Sequence, residues 1–174
     1  MSSLSAPKMR ARAAAKLRLD LQNASSGYEI PAQSLLKLWV RAAIGTQRSQ
    51  AEISLRIVDE AEMIELNGRY RDKPQPTNVL SFPADLPPEL KLPHLGDIVI
   101  CAAVVEREAH AQHKAVVDHW AHMLIHGTLH LLGFDHIEPD EAEAMESLEI
   151  DILKTLNIAN PYLAAETAAQ TRTA

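Results

Sequence analysis

The chain has a single cysteine, Cys101, and no apolar run that approaches the roughly 20 residues a helix needs to span a bilayer. One cysteine cannot form an intrachain disulfide, and it excludes a cysteine-based zinc site. Any metal ion must therefore be held by His, Asp or Glu. The first residues mix Ser, Ala and Arg without the apolar core of a signal peptide, so we expect a cytoplasmic protein with no membrane partner.

Positive charge is also scarce, because 17 Lys and Arg stand against 23 Asp and Glu and give a formal net charge of −6. Phosphate binding needs local positive potential, so the whole surface is not a magnet for nucleic acid. A local basic patch remains compatible with this charge. Hydrophobic residues are plentiful at 47% of 174, which suits one compact domain with a proper core.

Periodicity divides the chain into one domain and two tails. Residues 1–14 lack periodicity and predict a mobile N-terminal tail, and the Ala/Thr-rich residues 163–174 predict a disordered C-terminal tail. The single domain is predicted to cover residues 15–162. Alternating apolar residues predict strands at 16–22 and 51–58. A third short strand is predicted at 77–82, ended by Pro83, and a nearly continuous apolar run predicts a fourth at 96–101. Helical spacing predicts helices at 31–44, from 59 to about 70, at 102–113, at 116–132 and from 139 onward.

This order of elements predicts an α+β fold, in which a small four-stranded mixed sheet packs with helices around a buried central helix. The central helix is the segment 116–132, which is apolar nearly all round. Residues 83–94 contain four prolines and predict an exposed irregular loop.

Two other helices carry recognisable end and face patterns. Asp59 followed by Glu62 resembles a capping box with Asp in place of Ser or Thr, and it opens a helix whose inner face is predicted to hold Met63, Leu66 and Tyr70. The final helix is predicted to begin at Pro139, with acidic residues at its positive end. Its core positions are Ala142, Met145, Leu148, Ile152 and Leu156.

The central helix carries two histidines, His126 and His130, four residues apart. Residues at this spacing lie on one face of a helix, so both imidazoles can point at the same place. Gly133 can end the helix in a left-handed conformation and let the chain bring His136 back toward the pair. Three neutral imidazoles around one point predict an open site for one Zn²⁺ per chain, with a fourth position for water.

His119 and His122 lie on the same helix, and His122 is also four residues from His126. At about 1.5 Å of rise per residue, His122 is about 12 Å along the axis from His130, whereas zinc–nitrogen bonds are about 2.0–2.1 Å, so one ion cannot use both. His136 lies beyond the C-terminal end of the helix and must join the nearer pair. His119 and His122 are therefore predicted to be core residues or to support the ligands from behind.

The spacing His-x₃-His-x₂-Gly-x₂-His is that of the metzincin peptidases, so the predicted site is zincin-like. Those enzymes place a glutamate directly after the first histidine as general base, and this chain has Gly127 there. A zinc metallopeptidase remains an alternative but lacks its catalyst. Met145 could stand for the methionine of the peptidases' turn, although its place on an amphipathic helix favours a packing role.

Several motifs together resemble the YbeY family of bacterial ribosomal-RNA maturation endoribonucleases. They are Asn67–Arg71, Pro76–Pro83, Leu95–Ile100 and His126–His136, in the expected order, and the resemblance runs from about Glu52 to Tyr162. It implies a zinc-dependent endoribonuclease that cleaves single-stranded RNA in small-subunit ribosomal RNA maturation and ribosome quality control, with the ribosome or ribosomal proteins as partners. It also implies that the three histidines bind the metal and that Arg71 is a functional residue.

The chemistry of these residues is compatible with that activity. A three-histidine zinc can lower the pKa of its bound water toward about 7 and polarise a phosphoryl oxygen, which reduces the need for a separate base. Arg71 can then steady the developing phosphorane charge with its planar fork, although a solvated or carboxylate-paired surface arginine is the alternative interpretation. Arg69 and Lys73 can add local positive charge or form a solvated face.

Asp97 and Asp135 have two interpretations. Asp97 and Asp135 can orient ligand histidines from behind, while capping or turn functions are the simpler interpretation. The chain could also be a non-catalytic ribosome-associated binding module, in which the metal only fastens the end of the central helix.

Overall fold

The computed structural model describes residues 15–90, 92–135 and 137–163. The predicted tail at 1–14, and all of the other tail except Leu163, lie outside the described residues, so the division into domain and tails stays a prediction. Leu163 closes a short helical segment at 161–163. The main elements are β1 (Lys16–Asn23), α1 (Gln33–Ile44), β2 (Gln50–Val58), α2 (Glu60–Arg71), β3 (Val79–Pro83), a 3₁₀ helix (Pro88–Leu90), β4 (His94–Cys101), α3 (Ala102–Ala111), α4 (Val116–Leu131) and α5 (Pro139–Thr155).

The four strands form one mixed sheet in the order β1-β2-β4-β3. β1 and β4 each run parallel to β2, and β3 runs antiparallel to β4 at the edge. Parallel neighbours need a long crossover, and α1 supplies it between β1 and β2. The predicted α+β fold with a four-stranded mixed sheet is confirmed.

α4 is the buried central helix, as the sequence predicts. Eleven of its 16 residues are buried, so it has no continuous solvent face. It packs against α1, α3, α5 and the β3–β4 side of the sheet. The main core, with Leu36, Trp39, Ile53 and Leu124, lies between these helices and one face of the sheet.

Gly127 sets the distance between α4 and the edge strand β3. A Cβ at this position would lie 3.1 Å from Ser81 Oγ, 3.2 Å from Val79 Cγ2 and 3.3 Å from Ile98 Cγ2. The Ser81 hydroxyl donates a hydrogen bond of 3.0 Å to the carbonyl oxygen of Gly127. The absence of a side chain thus lets the helix backbone approach the strand, and the C-terminal half of α4 is fixed against the sheet.

The capping box predicted for α2 is wrong. Asp59 occupies the N-cap position but makes no side-chain capping hydrogen bond. Its carboxylate instead accepts hydrogen bonds from the backbone and hydroxyl of Ser26, and Glu62 accepts two from Arg56. Asp59 thus has a partner 33 residues away in sequence, and Glu62 has one on the preceding strand, so neither acid caps the helix.

Two smaller expectations also need correction. Tyr70 was expected on the inner face of α2, but it is 54% exposed and only packs edge-on against Phe82, with ring centroids 5.2 Å apart. The predicted loop at 83–94 contains the short helix Pro88–Leu90, and β3 and β4 extend into its two ends. None of the helices in the described ranges is long and apolar enough to cross a bilayer.

Candidate metal centre

His126 and His130 present their imidazoles to one point near the C-terminal end of α4. Their Nε2 atoms lie 3.1 Å apart, and the two rings are inclined by 78°. Two nitrogens that bind one tetrahedral zinc at about 2.0–2.1 Å would lie about 3.3–3.4 Å from each other. The pair is therefore spaced as two ligands of a single ion, and these donors fit zinc.

His136, the third predicted ligand, lies outside the described residues, and no group of three or more metal-binding side chains occurs within them. The chain on both sides of it does reach the site, because Asp135 and Ile137 line the same cavity as the histidine pair. Gly133 has φ +102°, the left-handed backbone that the predicted turn requires. This turn carries the chain from the end of α4 back to the cavity.

Glu149 of α5 is fully buried behind His126. One of its oxygens, Oε1, accepts a hydrogen bond from His126 Nδ1. The other, Oε2, accepts from Nε2 of His122 at 3.0 Å and from the Tyr162 hydroxyl. A carboxylate can only accept, so Nδ1 of His126 carries a proton. In the neutral ring this leaves Nε2, the nitrogen nearest His130, as the one with a lone pair.

The pKa values of this cluster follow from burial and hydrogen bonding. Burial raises the pKa of Glu149, but the hydrogen bonds from His122, His126 and Tyr162 outweigh it and lower that pKa to about 2. Burial lowers the pKa of His122 despite its bond to Glu149, and burial together with that carboxylate raises the pKa of Tyr162. At neutral pH Glu149 is thus an ionised carboxylate that accepts hydrogen bonds from three side chains.

A cavity of about 680 Å³ opens in front of the histidine pair. Arg71, at the end of α2, lines the same cavity. Its Nη2 donates a 2.9 Å hydrogen bond to the carbonyl oxygen of Ser81, and its guanidinium carbon lies 5.3 Å from the centroid of the Phe82 ring. These contacts hold the arginine in place without neutralising its charge.

The carboxylate-paired alternative for Arg71 is not what the structure shows. Within the described part of the chain, no salt bridge involves this residue. Arg69 and Lys73 do not line the cavity. Arg69 pairs with Glu65 at 2.8 Å on the exposed side of α2. Arg71 alone of these three cations faces the histidines.

Asp97 and Asp135 lie at different places in the structure. Asp135 lines the cavity, next to the predicted ligands. Asp97 instead lines a groove of about 550 Å³ on the other side of the sheet, together with Arg56 and Glu62. Since side chains alternate between the faces of a strand, Asp97 on β4 cannot orient the histidines from there. That suggestion is wrong for Asp97.

His119, His122 and Met145 are buried and have structural functions. His119 is buried, with Nε2 3.4 Å from Glu108 Oε1, and Glu108 in turn accepts a 3.0 Å hydrogen bond from Asn78. Met145 is buried in the main core, so its packing interpretation is confirmed. His122 supports the site from behind through Glu149.

Sequence reasoning missed Glu149 and Tyr162. A signal existed, because Met145, Glu149 and Ile152 recur at helical spacing and all three are buried. An acidic residue on the inner face of an amphipathic helix needs buried donors. Which donors it meets depends on how α5 packs against α4, and that is not visible in the sequence.

Comparison with known proteins shows a similar fold and a matching family. The solution structure of TM1509 from Thermotoga maritima is similar in fold, with a TM-score of 0.53 and 22% sequence identity over 80% of this chain and 92% of that chain. The family model for endoribonuclease YbeY matches residues 20–157, which include the strands β2 to β4, Arg71, the histidine pair and Glu149. Because this match covers most of the chain, the protein belongs to the YbeY family.

Proposed function

We propose that this protein is a zinc-dependent endoribonuclease that cleaves single-stranded RNA, acting in the cytoplasm on small-subunit ribosomal RNA precursors and in ribosome quality control. The observation that carries the proposal is the shared cavity of a ligand-spaced histidine pair and an arginine without a salt bridge among the described residues. Membership of a family described as endoribonucleases supports RNA as the substrate. The ribosome or its proteins would deliver that substrate.

His126, His130 and His136 would hold the ion. An all-imidazole set suits zinc and leaves coordination positions open. When bound there, zinc would polarise a phosphoryl oxygen and make a water molecule more acidic near neutral pH. Nδ1 of His126, bonded to Glu149, keeps the other ring nitrogen available for the metal.

Arg71 would bind the phosphate that is cleaved. Its hydrogen bond to the Ser81 carbonyl uses Nη2, and a guanidinium has five N–H donors. The remaining donors can engage two phosphate oxygens in a bidentate fork, whose strength increases as negative charge develops. The ring of Phe82 and the carbonyl of Ser81 fix the direction of this fork before substrate arrives.

The cavity wall favours an unpaired strand. Phe134, partly buried, lines the cavity beside the histidines. An unstacked base can pack against such an aromatic side chain, whereas the bases of a duplex are stacked on each other. This arrangement supports recognition of single strands.

Two variants test the proposal. His130→Ala should lose bound zinc and RNA cleavage together, whereas Arg71→Ala should keep the zinc and cleave about 100-fold more slowly. Metal content is measured by mass spectrometry, and cleavage is followed on a fluorescent single-stranded RNA and its duplex, with Arg69→Ala as the matched control. Unchanged cleavage by His130→Ala, or faster cleavage of the duplex, would overturn the proposal.

The peptidase alternative has no support in the site. The position of its general base is Gly127, which packs against β3. Incubation of the zinc-loaded protein with an unstructured polypeptide checks this directly. Peptide cleavage that depends on His126 would overturn the RNA assignment.

A further inference from the structure

The buried cluster behind the histidine pair has a division of labour between the two oxygens of Glu149. Oε1 contacts only His126 in the hydrogen bonds described above, and Oε2 is held by His122 and Tyr162. Glu149 has no exposed surface, and these three side chains are its hydrogen-bond donors among the described residues. One oxygen is fastened to the protein, and the other is presented to the predicted metal ligand.

We propose that Glu149 is a positioning residue for the metal site, which fixes the proton of His126 on Nδ1 and turns its Nε2 toward the ion, and which is itself held by His122 and Tyr162. This inference rests on the metal site of the proposed function, but it does not rest on the RNA-cleaving activity.

Burial gives the first argument. A carboxylate taken out of water is strongly unfavourable unless its lone pairs are satisfied, and replacing such a group with an apolar residue of similar volume is often neutral or stabilising. Met145 and Ile152 flank Glu149 on the same face of α5 and are ordinary core residues. Packing alone therefore does not require an acid at this position.

The tautomer gives the second argument. A neutral histidine carries one ring proton, and the hydrogen bond made by the other nitrogen decides which nitrogen can bind a metal. Glutamine has nearly the shape of glutamate, but its amide can donate as well as accept. In Glu149→Gln the amide can donate to Nδ1, which moves the proton to Nε2 and blocks the nitrogen that faces His130.

The position of Tyr162 gives the third argument. It lies beyond the end of α5, and its hydroxyl reaches back to Oε2, while its ring packs edge-on against His122 with centroids 5.5 Å apart. The segment after α5 is thereby connected to the metal site through a single carboxylate. Removal of this hydroxyl should loosen Glu149 without changing its charge.

The decisive measurement is zinc affinity without any RNA, obtained by competition with a chromophoric chelator. Glu149→Gln should bind zinc about 10- to 100-fold more weakly, the range found when outer partners of metal-bound histidines are removed. Tyr162→Phe should weaken binding less than Glu149→Gln does. Glu143→Gln, on the exposed side of the same helix, is the matched control and should bind like wild type.

If Glu149 only stabilised the fold, Glu149→Gln would lower the thermal stability of the metal-free protein and leave its zinc affinity unchanged. Equal zinc affinity of Glu149→Gln and wild type would therefore overturn the inference. Nitrogen-15 NMR of the metal-free wild type gives a test that does not depend on whether the variant folds. It should show His126 protonated on Nδ1, and protonation on Nε2 would also overturn the inference.

The outcomes separate this inference from the proposed function. Tight zinc binding that weakens in Glu149→Gln, in a protein that does not cleave RNA, would refute the RNA assignment and support the positioning of His126. RNA cleavage by the wild type, together with equal zinc affinity of Glu149→Gln and wild type, would support the RNA assignment and refute the positioning of His126. A wild type that binds no zinc would overturn both.

Discussion

The proposed function of Arg71 depends on the geometry of its guanidinium group. Its guanidinium lies over the Phe82 ring and is held by the Ser81 carbonyl, so the plane of the group is fixed at the cavity. Lysine carries the same charge but only a compact ammonium, without the planar fork. Charge alone would thus be preserved in Arg71→Lys, and the paired hydrogen bonds would be lost.

We expect Arg71→Lys to keep full zinc content and to cleave single-stranded RNA about tenfold more slowly. The loss corresponds to one hydrogen bond to a charged group, about 1.5 kcal/mol. Single-turnover cleavage rates at two salt concentrations provide the measurement, with Arg69→Lys as control. Wild-type rates in Arg71→Lys would show that only net charge matters at this position.

A second residue pair predicts a pH dependence of stability. Hydrogen bonds from Arg56 lower the pKa of Glu62, against the opposing effect of burial. Because the folded pKa lies below the unfolded value of about 4.3, the pair stabilises the fold above that pH and the stabilisation is lost as pH falls through the folded pKa. Both side chains are about a third exposed or more, so the contribution is at most about 1 kcal/mol.

Glu62→Gln should accordingly lower the free energy of unfolding at pH 7 by up to about 1 kcal/mol, and the difference from wild type should shrink below about pH 4. Urea denaturation at a series of pH values measures this. Arg56→Gln removes the same pair and should give the same pH profile. A difference that is constant from pH 7 to about 3 would contradict the assignment.

At the scale of elements, the contact between α4 and β3 determines the site. Gly127 and Ser81 meet across this contact, and the histidine precedes the glycine by one residue. A side chain here must displace Ser81, Val79 or Ile98, so the glutamate of the peptidases cannot be restored without cost. The residue that separates this chain from the peptidases by sequence is thus required by packing.

Gly127→Glu should lower the free energy of unfolding by at least about 2 kcal/mol and should not create peptidase activity, because the new carboxylate would be forced into a packed interface. Gly127→Ala should change stability by no more than about 1 kcal/mol, since its better helix propensity offsets the tight contacts. Denaturant unfolding and a peptide-cleavage assay are the measurements. A stable Gly127→Glu variant would show that the interface is looser than the contacts indicate.

Local sequence patterns predicted the secondary-structure elements but not every contact between them. Alternation of Leu17, Leu19 and Leu21 and of the residues of β2 predicted strands, and the four strands and α1 to α4 begin and end within two residues of their predicted bounds. α5 begins at Pro139 as predicted, whereas the short 3₁₀ helix was not predicted. The approach of His126 to His130 was predictable because it depends only on helical spacing. Glu149 was not, because it is 23 residues from His126 in sequence and meets it only after α5 packs on α4.

At the scale of the whole molecule, the predicted metal ligands His126 and His130 lie at the edge of the core and not within it. The His126 side chain is 25% exposed, whereas large apolar side chains of the main core such as Trp120, Leu124 and Leu129 are at most 2% exposed. A domain that buries this much apolar surface does not need an ion to fold. The need for the ion in folding distinguishes an enzyme from a non-catalytic module, because in such a module the metal would hold the end of α4 in place.

Removal of zinc with a chelator should therefore leave helix content and cooperative unfolding intact. Zinc at about 100 times its dissociation constant should raise the stability of the folded state by about 2.7 kcal/mol, which for a chain of this size corresponds to about 5–10 °C in melting temperature. Circular dichroism melts with and without zinc measure both effects. His130→Ala, which removes one ligand from the exposed edge of the core, should fold as the metal-free wild type does and should show no zinc-dependent shift. Unfolding on chelation would instead mean that the ion holds α4 and the turn at Gly133 in place, and the catalytic assignment would lose its structural argument.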